Sequence, residues 1–229
     1  MLSLPSTADK PRFVAAMFGR IASRYDLMNT LMTAGQDGAW RSAVASSVGS
    51  PARVLDVGTG TARLAATIAR LVPGAKVVGV DFAEPMLRAS DERLPLLAGD
   101  ALRLPFPDGC FDVVVSAFLL RNLADVGTGI FEQTRVLRPG GRLVVLETTP
   151  GPRAPWLRWA FQLYFRRLVP LLGGLVAGDA AAYSYLPESS LAFLEPERLA
   201  LVMRASGLEV ISIRRLALGC VAVTIARKR

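Results

Sequence analysis

The stretch 54–62, VLDVGTGTA, decides the fold. An apolar run leads into Asp56, and Gly58 and Gly60 follow at alternate positions before a helical pattern begins. Glycines at such points allow positive φ and let a ligand approach the backbone closely. A dinucleotide loop needs a third glycine where this chain has Arg63, so we expect a ligand other than a pyrophosphate. Asp56 suits an ammonium group, which carboxylates and carbonyl groups hold.

Outward from this loop, short apolar runs alternate with stretches of helical spacing. Uninterrupted apolar runs of this kind predict parallel strands that are buried on both faces. LEVISIRRL (208–216) and LGCVAVTIAR (218–227) lie close together and predict an antiparallel pair at the end of the sheet. The predicted fold class is α/β, a doubly wound, mostly parallel seven-stranded sheet with N-terminal helices and a helical lid insertion. The other five predicted strands are RVLDV (53–57), KVVGV (76–80), PLLAG (95–99), FDVVVSA (111–117) and RLVVLE (142–147).

The length predicts a single domain over residues 1–229. Residues 13–48 have helical spacing, with a loop at 33–38. The predicted parts are an N-terminal helical cap (1–50), a ligand-binding core (51–150), a helical lid over the substrate region (151–195), and a C-terminal helix with the strand pair (196–229).

The segment 156–178 is apolar, but four interruptions (Arg158, Arg166, Arg167 and Pro170) leave no span of about 20 residues for crossing a membrane. On a helical projection one apolar stripe forms, and the arginines lie beside Trp156 and Trp159 on the other side. The stripe fits a helix packed on its own domain, a helix lining an apolar site, or one at a membrane interface. Its members are Leu157, Phe161, Tyr164, Phe165 and Leu168.

The net charge of +8 is carried by 24 arginines and three lysines. The arginines are spread along the chain, so we expect no nucleic-acid partner, because such sites concentrate basic residues with aromatic ones. Attraction to an anionic membrane surface fits the high hydropathy better. An arginine-rich codon usage explains the excess of arginine over lysine without any function.

The chain has no histidine, which excludes Ser-His-Asp and Cys-His nucleophile pairs. It also excludes histidine zinc sites, and Cys110 and Cys220 cannot replace them, so we expect no metal. Two distant cysteines suggest a reducing compartment. The first ten residues lack a secretory pattern. We therefore expect a cytoplasmic protein, with peripheral association at the inner face of the cell membrane.

Acidic residues also follow the second and third predicted strands. Asp81 lies 23 residues after Gly58, where a carboxylate can accept both ribose hydroxyls, and Asp100 precedes Ala101 where a carboxylate can accept the adenine amino group. LRPGGRLVV (137–145) reads as a turn into the fifth strand. In this order and spacing the pieces resemble class I S-adenosyl-methionine-dependent methyltransferases, which implies a Rossmann-like fold and S-adenosyl-L-methionine as cofactor.

Longer motifs make the resemblance more specific. The chain resembles the ubiquinone/menaquinone biosynthesis C-methyltransferase family from about residue 13 to residue 190. The resemblance implies methylation of a ring carbon of a polyprenyl hydroquinone, either demethylmenaquinol or a ubiquinol precursor. The motifs are FGRIASRYDLMNTLMTAGQDGAWR (18–41), PFPDGCFDVVVSAFLLRNLAD (105–125), LRPGGRLVVLE (137–147) and YSYLPESS (183–190).

The resemblance also implies roles for individual residues. Arg121, Asn122 and Tyr25 would face the ring, with Arg121 stabilising a phenolate and Tyr25 bonding a ring oxygen. Ala117 stands where the family commonly has serine. The implied cofactor-binding residues are Asp56, Gly58, Gly60, Thr61, Asp81, Asp100, Ala101 and Ala117.

Two alternatives stay open at this point. Asp37 and Arg167 stand where the family often has histidine, which is compatible with another lipophilic or phenolic acceptor. A non-catalytic partner in a quinone-making complex is the other, although the complete glycine loop disfavours it. The expected partners are a lipophilic quinol, a membrane surface and a second copy of the chain in a homodimer.

Overall fold

The described residues, 5–49 and 52–229, form one seven-stranded sheet in the computed structural model of this chain. The order of the strands is β3-β2-β1-β4-β5-β7-β6. The first five strands are parallel, and β7 runs antiparallel to both β5 and β6. The strands are β1 (Arg53–Val57), β2 (Lys76–Asp81), β3 (Leu96–Ala98), β4 (Phe111–Ala117), β5 (Leu137–Thr148), β6 (Leu208–Leu216) and β7 (Val221–Lys228).

Helices cover both faces of the sheet. Three-residue helical turns follow α1, precede α6 and connect β6 to β7. The α-helices are α1 (Lys10–Ile21), α2 (Tyr25–Met32), α3 (Gln36–Ala45), α4 (Arg63–Leu71), α5 (Glu84–Arg88), α6 (Val126–Arg135), α7 (Pro155–Leu163), α8 (Val169–Leu172), α9 (Ala180–Leu191) and α10 (Pro196–Ala205).

Alternate residues of the central strands face two separate apolar cores. Val54 of β1 packs with Ile68 of α4 on one face, while Leu55 packs with Ile130 of α6 and Met203 of α10 on the other. These side chains are at most 1 % exposed, and each one buried stabilises the fold by about 1.5–3 kcal/mol. The predicted doubly wound α/β fold is thereby confirmed.

A third apolar cluster joins the N-terminal helices to residues 155–191, which we call the lid segment. Met17, Ile21 and Met28 from the N-terminal helices pack with Phe165 and Tyr183 of the lid segment. The lid segment is continuous helix from α7 to α8, because a wider helical turn over Tyr164–Leu168 connects them, and a second wide turn, Gly173–Ala177, follows. Of the predicted stripe, Phe165 is buried in this cluster and Phe161 and Tyr164 pack against it, whereas Leu168 is exposed.

Several element boundaries differ from the prediction. The loop expected at 33–38 ends earlier, since α3 begins at Gln36 after a left-handed Gly35. The turn expected before the fifth strand belongs to β5 itself, because Leu137 already pairs with Phe111 before an irregularity in the ladder. Residues 218–220 lie in the turn before β7. The predicted boundary between cap and core, at residues 50 and 51, lies outside the described residues.

Candidate active site

The glycine loop connects β1 to α4 at the point where the strand order reverses. Gly58 and Gly60 have φ of +71° and +57°, a backbone conformation that side chains rarely adopt. A Cβ atom on Gly58 would lie 2.7 Å from the Leu119 side chain, so space also requires glycine there. The loop thus brings its backbone to the carboxyl edge of the sheet, where such folds bind ligands.

Asp56 lies beneath this loop. Its Oδ2 accepts hydrogen bonds from the Thr59 hydroxyl at 2.8 Å and the Ala65 backbone N–H at 3.1 Å. Its Oδ1 is buried without a partner. Burial, as the largest cause, raises the pKa of Asp56 to about 7, against the hydrogen bonds that lower it. The carboxyl group therefore supports the loop from behind, and its free oxygen is an acceptor available to a cation.

Two further carboxylates stand at the ends of β2 and β3. Asp81 accepts the Gly60 N–H and the Ala83 N–H, both at 2.8 Å. Burial raises the pKa of Asp81, while those backbone hydrogen bonds lower it. Asp100 accepts the Leu102 N–H at 2.8 Å. Both carboxylates are held by backbone groups, and both lie in the same cleft.

That cleft has a volume of about 830 Å³ and lies in front of the glycine loop. Most of the residues predicted to form the site line this cleft. Asp56 and Thr61 instead lie behind the glycine loop and are 0 % and 4 % exposed. Apolar side chains from α1, α5 and the loops after β2 and β4 complete the walls. The predicted residues that line the cleft are Tyr25, Gly58, Gly60, Asp81, Asp100, Ala101, Ala117 and Asn122.

The first turn of α2 closes one side of the site. Tyr25 packs edge-on against Phe18, with the ring centroids 5.7 Å apart, and burial raises its pKa. Its neighbour Asp26 accepts the Thr61 hydroxyl at 2.8 Å. Thr61 therefore ties the glycine loop to α2 and holds Tyr25 at the edge of the cleft.

Arg121 and Asn122 lie in a short helical turn after β4. Arg121 Nη1 donates to Glu147 Oε1 at 2.7 Å and to the Phe118 carbonyl at 2.8 Å. Both members of the ion pair are about 95 % buried, with side-chain exposures of 5 % and 4 %. Asn122 Nδ2 donates to the same Phe118 carbonyl at 3.1 Å. Phe118, with φ of +56°, is a strained residue that turns the chain and aims both side chains inward.

A second cavity, of about 360 Å³, lies against the first between the N-terminal helices and α9. Tyr25 and Asn122 line both cavities, and Arg121 lines the second. This second cavity collects buried polar atoms that lack a hydrogen-bond partner. They are Arg121 Nε, Asn122 Oδ1, Tyr183 OH and Tyr185 OH.

Buried polar groups are nearly always hydrogen-bonded, so these four unpaired atoms leave hydrogen-bonding capacity for a ligand or for water beside this cavity. The set has N–H and O–H donors together with an amide acceptor. Most of the wall is apolar, including Met17, Ile21 and Leu186. The cavity therefore suits a flat apolar molecule that carries hydroxyl or carbonyl oxygens.

Sequence reasoning missed several residues of the site. Glu147 and Asp26 bind predicted site residues but lie 26 and 35 positions away from them in the chain. Glu147 ends the apolar run RLVVLE, and a charge at the carboxyl end of a buried strand was the available signal. Tyr183 and Tyr185 belong to the quoted stretch YSYLPESS, which carried no assigned role.

The two positions where a family histidine is replaced lie away from both cavity walls. Asp37 pairs with Arg41 one turn later in α3, at 2.8 Å, and with the Thr33 hydroxyl. Arg167 is exposed on the lid segment. Both replacements are thus accommodated locally, outside the residues that line the two cavities.

Solved structures share this architecture. A possible histamine N-methyltransferase from Thermotoga maritima matches with a TM-score of 0.69 at 19 % identity, over 93 % of this chain and 99 % of its own. The [4+2]-cyclase SpnF matches with a TM-score of 0.68 at 17 % identity, over 100 % of this chain and 98 % of its own. The fold is that of the class I, Rossmann-like methyltransferases, and such likenesses show the fold alone.

Sequence comparison is more specific. The chain belongs to the ubiE/COQ5 methyltransferase family, which matches residues 6–228. A demethylmenaquinone methyltransferase from Deinococcus radiodurans is 46 % identical over 96 % of this chain and 95 % of its own length. One from Thermus thermophilus is 47 % identical over 85 % of this chain and 92 % of its own. The predicted family is confirmed, and the protein is a methyltransferase.

Proposed function

We propose that the cleft in front of the glycine loop binds S-adenosyl-L-methionine. Asp81, at the end of β2, takes the ribose hydroxyls, and Asp100 takes the adenine amino group. The ammonium group lies at the glycine loop, which Asp56 supports from behind with an unused acceptor at Oδ1. Because Gly58 and Gly60 have no side chains, such a ligand can approach the loop backbone closely. A side chain at either position would occupy part of that space.

We further propose that the protein methylates a ring carbon of a polyprenyl hydroquinone, either demethylmenaquinol or a ubiquinol precursor. The observation that carries this proposal is the second cavity, whose apolar wall holds four unpaired polar atoms beside the cofactor cleft. A hydroquinone ring is flat and apolar with two oxygens, which matches that wall. The names of the relatives from Deinococcus and Thermus support the same substrate class.

The residues of the chain position the ring and manage its charge. S-adenosyl-L-methionine supplies a methyl group that is already activated, so no side chain has to act as nucleophile. Arg121 stabilises the negative charge that a ring oxygen acquires when its proton passes to water, which makes the adjacent carbon electron-rich. The carbon that gains the methyl group then releases its own proton to water. Tyr25 and Asn122 line both cavities and hold the ring against the cofactor cleft. Orientation of this kind supplies much of the acceleration.

The test uses the purified protein, S-adenosyl-L-methionine and a short-prenyl demethylmenaquinone kept reduced under anaerobic conditions. Mass spectrometry should detect one added methyl group with the reduced quinol and none with the oxidised quinone, whose ring carbon is not nucleophilic. A demethylated benzoquinol and a prenylated monophenol are assayed in parallel. Turnover of the monophenol with neither quinol methylated would contradict the quinone assignment and favour another phenolic acceptor.

We also infer that the outer face of the lid segment rests on an anionic membrane surface. Trp156 and Trp159 lie on one face of α7 and are 73 % and 68 % exposed, and Leu175 is 76 % exposed. Leu27 and Leu31 of α2 are also exposed. The start of α2 lies beside the lid segment, because the Arg24 side chain donates to the Val176 carbonyl at 2.9 Å.

The charge of this face favours lipid over a second copy of the chain. Residues 151–180 contain four arginines, of which Arg153 and Arg166 pair with Glu197 and Glu188. In the part of the chain that the structure describes, Arg158 and Arg167 form no ion pair, and anionic headgroups attract such cations. Exposed tryptophans with neighbouring cations are typical of interfacial helices. Among the described residues, no helix is both long enough and apolar enough to span a bilayer.

Co-sedimentation with phosphatidylglycerol vesicles tests this inference, with phosphatidylcholine vesicles as the neutral comparison. The double variant Trp156→Ser, Trp159→Ser should lose vesicle binding, while Phe131→Ser, which alters an exposed aromatic residue on α6, should retain it. Equal binding of both variants would contradict the inference. A shift from dimer to monomer in the tryptophan variant, without any vesicle binding by the wild type, would assign the face to a second copy instead.

A further inference from the structure

Two tyrosines of α9 supply two of the four unpaired polar atoms of the second cavity, and neither residue takes part in the steps proposed above. Tyr183 and Tyr185 are 3 % and 4 % exposed, and both hydroxyl groups are buried without a hydrogen-bond partner. Both side chains line the second cavity. An unpaired hydroxyl in a protein interior costs about 1–3 kcal/mol, so two of them on one wall require an explanation.

The two side chains reach the second cavity from different sides. Tyr185 also lines, together with Arg121, a neighbouring cavity next to Lys10 and Phe193, whereas Tyr183 lies over Gly173 of the lid segment. Burial raises the pKa of both Tyr185 and Tyr183. Both phenols stay neutral and remain able to donate.

We propose that Tyr183 and Tyr185 bind the two opposite oxygens of the acceptor ring, and so select a 1,4-dihydroxylated ring over a ring with one hydroxyl group. Tyr185 acts with Arg121 Nε on one oxygen, and Tyr183 acts beside Tyr25 on the other. This inference rests on the proposed function and deepens it. It identifies the features by which this site distinguishes a hydroquinone from a phenol.

The packing of α9 keeps the two side chains at these places. The Tyr185 ring packs against Phe13 with centroids 5.3 Å apart. The Tyr183 ring lies directly over Gly173 of the lid segment, where a side chain would collide with it. Asp179 caps α9 by accepting the Ala182 N–H at 2.9 Å, and it pairs with Arg20 of α1 at 2.8 Å. The donors are thus preorganised in the absence of a ring.

A site built to hydrogen-bond two oxygens disfavours a ligand that lacks one of them, because a buried donor is then left unpaired. The probes are 1,4-dihydroxynaphthalene and 1-naphthol, measured by calorimetry under anaerobic conditions with S-adenosylhomocysteine present. The wild type should bind the diol at least about tenfold more tightly than the monophenol. Because the readout is binding, a failure of methyl transfer would contradict the proposed function without deciding this inference.

The variants are Tyr183→Phe, Tyr185→Phe and the double variant. Each single change should weaken diol binding by about five- to tenfold, the loss of one hydrogen bond, and the double variant should bind both probes alike. Without ligand, each change should leave the melting temperature unchanged or raise it, because it removes an unpaired buried hydroxyl. A merely structural role would lower the melting temperature.

Tyr164→Phe is the matched control. The Tyr164 hydroxyl donates to the Met32 carbonyl at 2.8 Å, and the side chain is not part of the cavity wall. This variant should lose some stability and keep the preference for the diol. Unchanged diol preference in both cavity variants, or a loss as large in Tyr164→Phe, would overturn the inference.

Discussion

Arg121 forms a buried ion pair with Glu147, in which Nη1 and Oε1 are 2.7 Å apart. Arginine is always charged in proteins, so this side chain suits charge stabilisation and not proton abstraction. Nη1 is occupied by Glu147 and the Phe118 carbonyl, while Nε is buried and free. Glu147 is therefore a positioning residue, which leaves one donor of Arg121 available to a ring oxygen.

Removing Arg121 alone would leave the Glu147 carboxylate buried without its cation, although Thr148 still donates to it, at a cost of about 3–5 kcal/mol. The double change Arg121→Met, Glu147→Gln avoids that charge and should fold. It should lower kcat by about 100-fold, the usual loss when an oxyanion donor is removed. Affinity for S-adenosylhomocysteine, measured by calorimetry, should be unchanged because neither residue lines the cofactor cleft. An equal loss of turnover and cofactor affinity would contradict the role assigned to Arg121.

Asp56 makes stability depend on pH. Its pKa rises from 3.8 in the unfolded chain to about 7 in the fold, mainly through burial. Between these values the native state binds one more proton than the unfolded chain, so the free energy of unfolding falls as pH rises and levels off above about pH 7. Low pH in this window therefore favours the folded state.

The variant Asp56→Asn should lose this dependence. Relative to the wild type, its free energy of unfolding should rise by on the order of 2–4 kcal/mol between pH 5 and pH 8, as measured by urea denaturation. Asp112→Asn is the control, since the Arg53 backbone N–H lowers the pKa of Asp112 and its contribution is constant over that range. A difference between Asp56→Asn and wild type that does not change with pH would contradict the assignment.

At the scale of elements, the lid segment depends on one close helix contact. Gly173 lies in the second wide turn against the ring of Tyr183, and this contact sets how closely α9 approaches. The next residue, Gly174, is exposed, and a Cβ there would meet only Ala180 at an ordinary 3.4 Å. We therefore expect the same substitution, glycine to alanine, to have opposite effects on stability at Gly173 and Gly174.

Gly173→Ala should destabilise the protein by about 1–3 kcal/mol, the typical cost of overpacking, and should weaken ring binding because it displaces Tyr183. Gly174→Ala should stabilise it by up to about 1 kcal/mol, since alanine favours helix over glycine. Thermal denaturation and the naphthalene-diol calorimetry measure both effects. Equal melting temperatures for the two variants would show that the Gly173 contact is unimportant.

Strands were predicted well where apolar runs are uninterrupted. RVLDV and FDVVVSA coincide with β1 and β4, because burial on both faces leaves an uninterrupted apolar pattern, and LEVISIRRL coincides with β6, an edge strand that is mostly exposed or half-buried. The start of β5 was missed because a proline and two glycines disguise strand residues around an irregular pairing. In the lid segment, the apolar stripe alone left open whether it faces the domain or a membrane, and the structure buries Phe165 and exposes Leu168.

At the scale of the whole molecule, the site combines segments that are far apart in the chain. Local motifs predicted the residues of the cofactor cleft, since loops after parallel strands meet at one edge of the sheet. The second cavity was not predicted, because it forms only where α1, α2 and α9 pack over the turn at Arg121. The tertiary contacts between Glu147 and Arg121, and between Asp26 and Thr61, leave no periodic signal in the sequence.

The absence of histidine agrees with this arrangement. Because the electrophilic methyl group is part of the cofactor, the protein needs no side chain that is activated as a nucleophile. Hydrogen-bond donors, charged or neutral, suffice to orient the ring. In the function proposed above, arginine, asparagine and tyrosine side chains orient the ring. The central claim is therefore that the methyl group is transferred to a ring carbon and not to a ring oxygen.

The most direct test is the position of the transferred methyl group. S-adenosyl-L-methionine labelled with ¹³C in its methyl group is incubated with reduced demethylmenaquinone whose ring is enriched in ¹³C, and the product is examined by NMR. We predict a one-bond carbon–carbon coupling between the new methyl group and a ring carbon. A labelled methyl group without that coupling, bound to a ring oxygen, would contradict the account.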